Sequence, residues 1–115
     1  MAGARRRERL VFRALARAEV EAAANWYAEQ AGSALAEAFV AEVERVCALI
    51  AREPAMGSPR WGDALGLHGL RSWSLRRFPY LVFYVERRQQ IEIWRVLHST
   101  RDIPVTLAEP EPPSA

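Results

Sequence analysis

The most regular feature of the chain is an apolar stripe in which Leu35, Phe39, Val43, Val46 and Ile50 recur at spacings of four and three. That recurrence marks one face of a helix, and Pro54 marks where the helix ends. Glu37, Glu42, Glu44 and Arg45 fall outside the stripe and are expected to face water. Upstream, Arg17 to Gln30 is built of helix formers and closes on Asn25, Trp26 and Tyr27. Gly32 breaks this first helix, and Ser33 is placed to cap the second. Two helices joined by so short a turn must run antiparallel, as a hairpin.

Around the helices the pattern changes to strand-like segments. Leu10 to Leu15 is apolar and β-capable. Leu70 to Arg76, Tyr80 to Val85 and Ile91 to His98 read as three further strands, and their short connections require antiparallel neighbours. Residues Pro54 to Gly69 are rich in glycine and proline and read as a loop pinned by Trp61, Leu65 and Leu67. The expected fold class is α+β in the order β-α-α-β-β-β, with the helical hairpin packed on one face of a small antiparallel sheet. Residues 1–9 form a flexible basic arm in this reading, 10–103 a single domain, and 104–115 a Pro/Glu-rich tail that is mostly disordered. The sheet face turned away from the helices is left partly open, and function is expected there.

Strand alternation makes that expectation specific. On the last strand Glu92, Trp94, Val96 and His98 share one side, and Ile91, Ile93, Arg95 and Leu97 the other. His98 and Arg95 therefore diverge unless a bulge intervenes. On the middle strand Leu81, Phe83 and Val85 read as the core set, which leaves Tyr80, Val82, Tyr84 and Glu86 outward.

Composition narrows the chemistry. The chain has 115 residues, enough for one domain, and a net charge of +2, too modest to imply nucleic acid. All 16 basic residues are arginine, so no titratable ammonium is available as a base. The single cysteine, Cys47, excludes an internal disulfide and leaves no second thiolate for a metal site; neither metal nor cofactor is expected. No apolar stretch approaches the roughly 20 residues of a membrane helix, and Arg13 and Arg17 interrupt any secretory signal, so a cytoplasmic protein is expected.

Several local motifs resemble the ParE/RelE toxin superfamily, the toxic halves of type II toxin–antitoxin or plasmid-stabilisation modules. They are Ala22-Ala23-Ala24-Asn25-Trp26-Tyr27, Phe39-Val40-Ala41-Glu42-Val43-Glu44, Gly69-Leu70-Arg71, Arg76-Arg77-Phe78-Pro79-Tyr80-Leu81-Val82-Phe83-Tyr84, and Val96-Leu97-His98-Ser99-Thr100-Arg101-Asp102. The resemblance implies a growth inhibitor silenced by a cognate antitoxin, with a toxin–antitoxin heterotetramer as one assembly. It also implies one of two targets. ParE-like members poison DNA gyrase, the reading favoured here; RelE-like members cleave messenger RNA on the ribosome. An inactive member that only binds its antitoxin is the third reading.

Each reading nominates residues. Ribonuclease chemistry would fall on Arg71, Tyr84 and His98, although RelE-like enzymes tend to rely on lysines that this chain lacks. His98 at a strand end has an alternative role, fixing the turn by a hydrogen bond. A binding-type toxin would use exposed arginines and aromatics: Arg76, Arg77, Phe78, Tyr80, Arg95 and Arg101. An antitoxin helix on the outer face of the hairpin would meet Trp26, Val40 and Cys47, and an exposed edge strand could accept an extended segment.

Overall fold

A computed structural model describes residues 9–109. The basic arm expected over 1–9 lies outside these residues apart from Arg9, as does the end of the tail from 110 to 115. Strand β1 (Arg9–Phe12) leads into α1 (Ala14–Ala31) and α2 (Ser33–Arg52). A 3-10 turn at Pro54–Met56 and a short helix α3 (Arg60–Leu65) follow. Then come β2 (Leu70–Ser74), β3 (Tyr80–Arg87), β4 (Gln90–His98) and a last helix α4 (Ile103–Ala108).

The two long helices pack on a four-stranded sheet of order β1-β4-β3-β2. Strands β2, β3 and β4 form an antiparallel meander, whereas β1 lies parallel to β4, with Leu10 opposite Ile91. The fold class is the expected one, but the sheet is mixed. A parallel neighbour needs a long crossover, and here the helical hairpin and β2–β3 supply it.

Gly32 joins the helices, and at φ 94 it closes α1 by donating its N–H to Ala28 O at 3.0 Å. Ser33 becomes the first residue of α2 and makes no capping bond; Gly32 takes the position expected of it. The stripe on α2 forms the core as its spacing demands. Phe39, Val43, Val46 and Ile50 are at most 3 % exposed, against Val82, Tyr84, Ile91 and Ile93 of the sheet.

Both faces of the sheet are covered. Leu70, Phe83, Val85, Leu97 and Ile103 make a second apolar cluster, walled by Trp61, Leu67 and Leu107 from α3, its following turn and α4. The loop expected over Pro54–Gly69 therefore contains α3, and the stretch past Arg101, expected to be disordered, contains α4. Asp102 caps α4 by accepting from Val105 N at 3.2 Å, and Ile103 and Thr106 anchor it by burial.

Glu42, expected in water, is a tie between layers. Its carboxylate accepts from Arg45 at 2.7 Å and from the backbone N–H of Arg76 in the β2–β3 turn at 2.6 Å. The Arg45 hydrogen bond, opposed in part by burial and reinforced by the Arg76 N–H, holds the Glu42 carboxyl below its ordinary value of 4.5. A carboxyl depressed in the folded state stabilises above its unfolded pKa and loses that contribution as the pH falls through the folded one. Glu42→Gln is therefore expected to lower stability at pH 7 by about 1.5 kcal/mol. The difference from the parent should shrink steadily below pH 4.5 in denaturant unfolding series.

Candidate functional site

The residues nominated from the sequence do not gather in one place. Arg71 and Tyr84 sit opposite one another on β2 and β3. The Tyr84 hydroxyl donates to Pro54 O at 2.7 Å and accepts from Gly57 N at 3.0 Å, and the ring is fully buried. Arg71 donates to Gly57 O at 2.7 Å. Together they clamp the 3-10 turn between α2 and α3. Gly57 is the complement of that clamp, because a side chain there would collide with the Tyr84 hydroxyl and ring. Burial holds the Tyr84 phenol above its usual pKa, so at neutral pH it stays protonated in these two bonds.

His98 lies at the far end of β4, opposite Tyr80. Tyr80 and Tyr84 are four residues apart on one strand, so about 13 Å separates the two places. The trio Arg71, Tyr84 and His98 does not converge.

The turn 76–79 displays Arg76 and Arg77 but not Phe78. Phe78 is 5 % exposed, packed edge-on against Phe39 and Tyr27 with ring centroids 5.3 and 5.2 Å away. Arg77 adopts a left-handed φ of 70 and lays its guanidinium over the Phe78 ring.

Arg95 is not a surface residue either. A β-bulge separates the pairs Phe83↔Arg95 and Tyr84↔Ile93, leaving Trp94 as the extra residue. The bulge reverses the parity of β4 beyond Trp94: Ile91, Ile93 and Val96 all join the helix-side core, and Leu97 joins the opposite one. Arg95 bonds Glu19 of α1 through Nε at 2.9 Å and through Nη2, and donates Nη1 to Thr106 O of α4 at 3.2 Å. The other Glu19 oxygen accepts from Val96 N at 2.9 Å. One guanidinium thus ties α1, β4 and α4 together.

The tyrosines of β3 face the helices, the reverse of the expected open-face display. Tyr80 packs between Phe39, Tyr27 and His98, with its ring 5.0 Å from the imidazole. Burial and the neighbouring Tyr27 hold its phenol above the usual pKa. The Nδ1 of His98 accepts from Thr100 N at 3.1 Å and lies 2.7 Å from Thr100 Oγ1, the turn-fixing role that was its alternative. A nitrogen that accepts from a backbone N–H carries no proton, so in the neutral ring the proton is on Nε2, and that nitrogen is a donor.

Beside a small hollow between Arg13, Trp94, Arg95, Leu107 and Glu109, two larger concave surfaces lie on either flank of α1. One is a groove of about 560 Å3 where Phe12, Val20, Ala24, Val40 and Val43 meet, rimmed by Arg17 and Glu44. The other is a cleft of about 260 Å3 whose lining includes Glu19, Trp26, Tyr80, His98 and Arg101. Of the residues nominated for an antitoxin, Val40 lines the groove, Trp26 is 54 % exposed on the cleft side, and Cys47 is buried in the core. Burial, and secondarily the charge of Glu44, push the Cys47 thiol up to about 12, so it packs as an inert apolar group. On α1 the groove corresponds to the four-residue spacing of Val20 and Ala24, a weaker pattern than the stripe on α2. Glu19 and Gly57 carry no sequence mark of their roles.

Among the described residues no helix is long and apolar enough to cross a membrane. No curated protein compared with the chain matches it. A solved structure described as the chromosomal ParDE TA system from P. aeruginosa is similar in fold, with a TM-score of 0.66 at 20 % identity. The match covers 77 % of this chain and 92 % of that one. The sequence profile described as the ParE toxin of type II toxin–antitoxin system, parDE, matches residues 10–103. That span holds every strand but the first residue of β1, both long helices and both concave surfaces, and the chain belongs to the ParE toxin family of type II toxin–antitoxin systems.

Proposed function

We propose that this chain arrests growth by binding DNA gyrase, without a reaction of its own, and that a cognate antitoxin silences it. The observation that carries the reading is the state of the groups an RNA-cleaving site would need. General acid–base catalysis requires an acceptor within reach of the proton it removes. Tyr84 and Arg71 are committed to the 54–57 clamp. His98 Nδ1 is committed to Thr100, and both oxygens of Glu19, the carboxylate nearest to it in the cleft, are committed to Arg95 and Val96. Arginine is too weak an acid to exchange protons near neutral pH. What is left exposed is the equipment of recognition, arginines and an aromatic ring.

For the antitoxin, the groove beside α1 supports a helix-in-groove mode of docking. Its apolar residues occupy a stripe, and its rim carries charges of both signs. Strand β1 is an edge of the sheet and ends at Phe12, which also lines the groove. One segment could therefore lay a helix in the groove and pair with the edge.

Inducing the chain in bacterial cells tests the reading. Filamentous cells, DNA-damage signalling and intact transcripts are the expected outcome, relieved when the antitoxin is expressed together with it. Transcripts cut at defined codons would transfer the chain to the ribonuclease reading, and undisturbed growth would leave a family member that only binds its antitoxin.

A further inference from the structure

Helix α1 presents its two concave surfaces on opposite flanks, and the surfaces share no residue. Arg17, Val20, Glu21, Ala24 and Asn25 belong to the groove; Glu19, Ala22, Ala23 and Trp26 belong to the cleft. At 100° per residue these sets lie roughly half a turn apart.

The cleft has a distinct chemistry: each of its available polar groups can donate a hydrogen bond. The Trp26 indole has only an N–H to offer, and the ring is 54 % exposed. His98 retains its Nε2–H because Nδ1 is engaged by Thr100. The hydroxyl of Tyr80 and the guanidinium of Arg101 have no hydrogen-bond or ion-pair partner among the described residues. The one carboxylate in the lining, Glu19, is neutralised by Arg95 and has both oxygens bonded. Ala22, Ala23 and Val96 supply the apolar part of the lining. Such a place suits an anionic group carried next to a ring or an apolar stem. Arg101 is the single arginine in the lining, which matches one carboxylate. A nucleic-acid strand would ask for a track of cations along successive phosphates, and the cleft lining holds no second arginine.

Resting on the toxin reading above, we propose that the cleft engages the toxin's target, and that its occupant is a surface loop of the target protein bearing an Asp or Glu beside an aromatic or aliphatic residue. Arg101 receives the carboxylate, and Trp26 stacks on the neighbouring side chain, the residue types that dominate protein interfaces. The antitoxin then silences the toxin from the other flank of α1. A docked helix is about 10 Å across, as is α1 itself, so a helix in the groove stands close enough to obstruct a globular target.

The test measures growth arrest and antitoxin binding in parallel for Arg101→Glu, Trp26→Ala and Val40→Arg. All three positions reach the surface, and antitoxin binding by the first two serves as their folding control. Arg101→Glu and Trp26→Ala are expected to weaken growth arrest roughly thirtyfold or more, the effect of removing an interface hot spot. Their affinity for the antitoxin encoded with the chain should stay within about threefold of the parent, within the scatter of a near-neutral contact. Val40→Arg should do the reverse, remaining toxic while escaping the antitoxin. Arg101→Glu and Trp26→Ala chains as toxic as the parent would overturn the assignment. So would natively folded variants that lose antitoxin binding along with toxicity, since the cleft would then be the antitoxin's. A parent chain that leaves growth untouched overturns the toxin reading and the cleft assignment with it, whereas a toxic parent with equally toxic variants overturns the assignment alone.

Discussion

Glu19→Ala is expected to cost about 3–5 kcal/mol of stability, because it strands a buried guanidinium. Arg95 is 6 % exposed, and Glu19 is its only carboxylate partner among the described residues. Removing Glu19 also leaves Val96 N without its acceptor at the bulge. For a domain of this size the loss corresponds to a fall in Tm on the order of 10–20 °C. The reverse change, Arg95→Ala, should cost a similar amount and release α4 as well, since Nη1 also holds Thr106 O. Buried ion pairs are often replaceable by apolar residues of similar volume. The double variant Glu19→Leu, Arg95→Met should therefore be more stable than either alanine variant. Thermal unfolding of the parent, the two alanine variants and the chain carrying both alanines makes the double-mutant cycle, and simple additivity would contradict a direct ion pair.

Phe39→Ala is the second large effect, expected at about 3–5 kcal/mol from lost transfer energy and the cavity left behind. The ring is fully buried, and three aromatic neighbours surround it: Tyr27, Phe78 and Tyr80, with centroids 5.2 to 5.3 Å away. The same substitution removes the backing of Tyr80, the wall of the cleft that also touches His98. Phe39→Leu keeps most of the volume and should cost less than half as much. Denaturant unfolding gives the ranking, and growth arrest by the leucine variant shows whether Tyr80 needs the aromatic support. An alanine variant as stable as the leucine one would contradict the packing described.

These residues also show which parts of the molecule can be read from sequence. The α2 stripe was legible because one face of that helix is apolar and the other charged. The meander was legible because its connections are short, five residues between β2 and β3 and two between β3 and β4. Strand β3 was misread by face, since Tyr80, Val82 and Tyr84 are as apolar in character as Leu81, Phe83 and Val85. A strand buried on both sides has no polar set to orient it. That ambiguity produced the expected open face, which α3 and α4 in fact cover. Helices of six residues are too short to print a period, although Asp102 and Pro104 form a helix-start signal for α4. The bulge at Trp94 involves no glycine and left no mark, yet it decides that Arg95 reaches Glu19 while His98 stays beside the cleft. Of the candidate site, the residue types were legible and their grouping was not. The sequence pairs Tyr80 with Arg101 for target binding but sets Trp26 to the antitoxin and His98 to ribonuclease chemistry, and only the packing of α1 on the end of β4 brings all four into one lining.

The most direct test of the account is DNA supercoiling by purified gyrase in the presence of the purified chain, with ribosome-bound messenger RNA incubated in a parallel reaction. Binding without chemistry predicts that supercoiling is lost as the chain is titrated in, that added antitoxin restores it, and that the RNA stays full length. Undiminished supercoiling alongside cleaved RNA would contradict it.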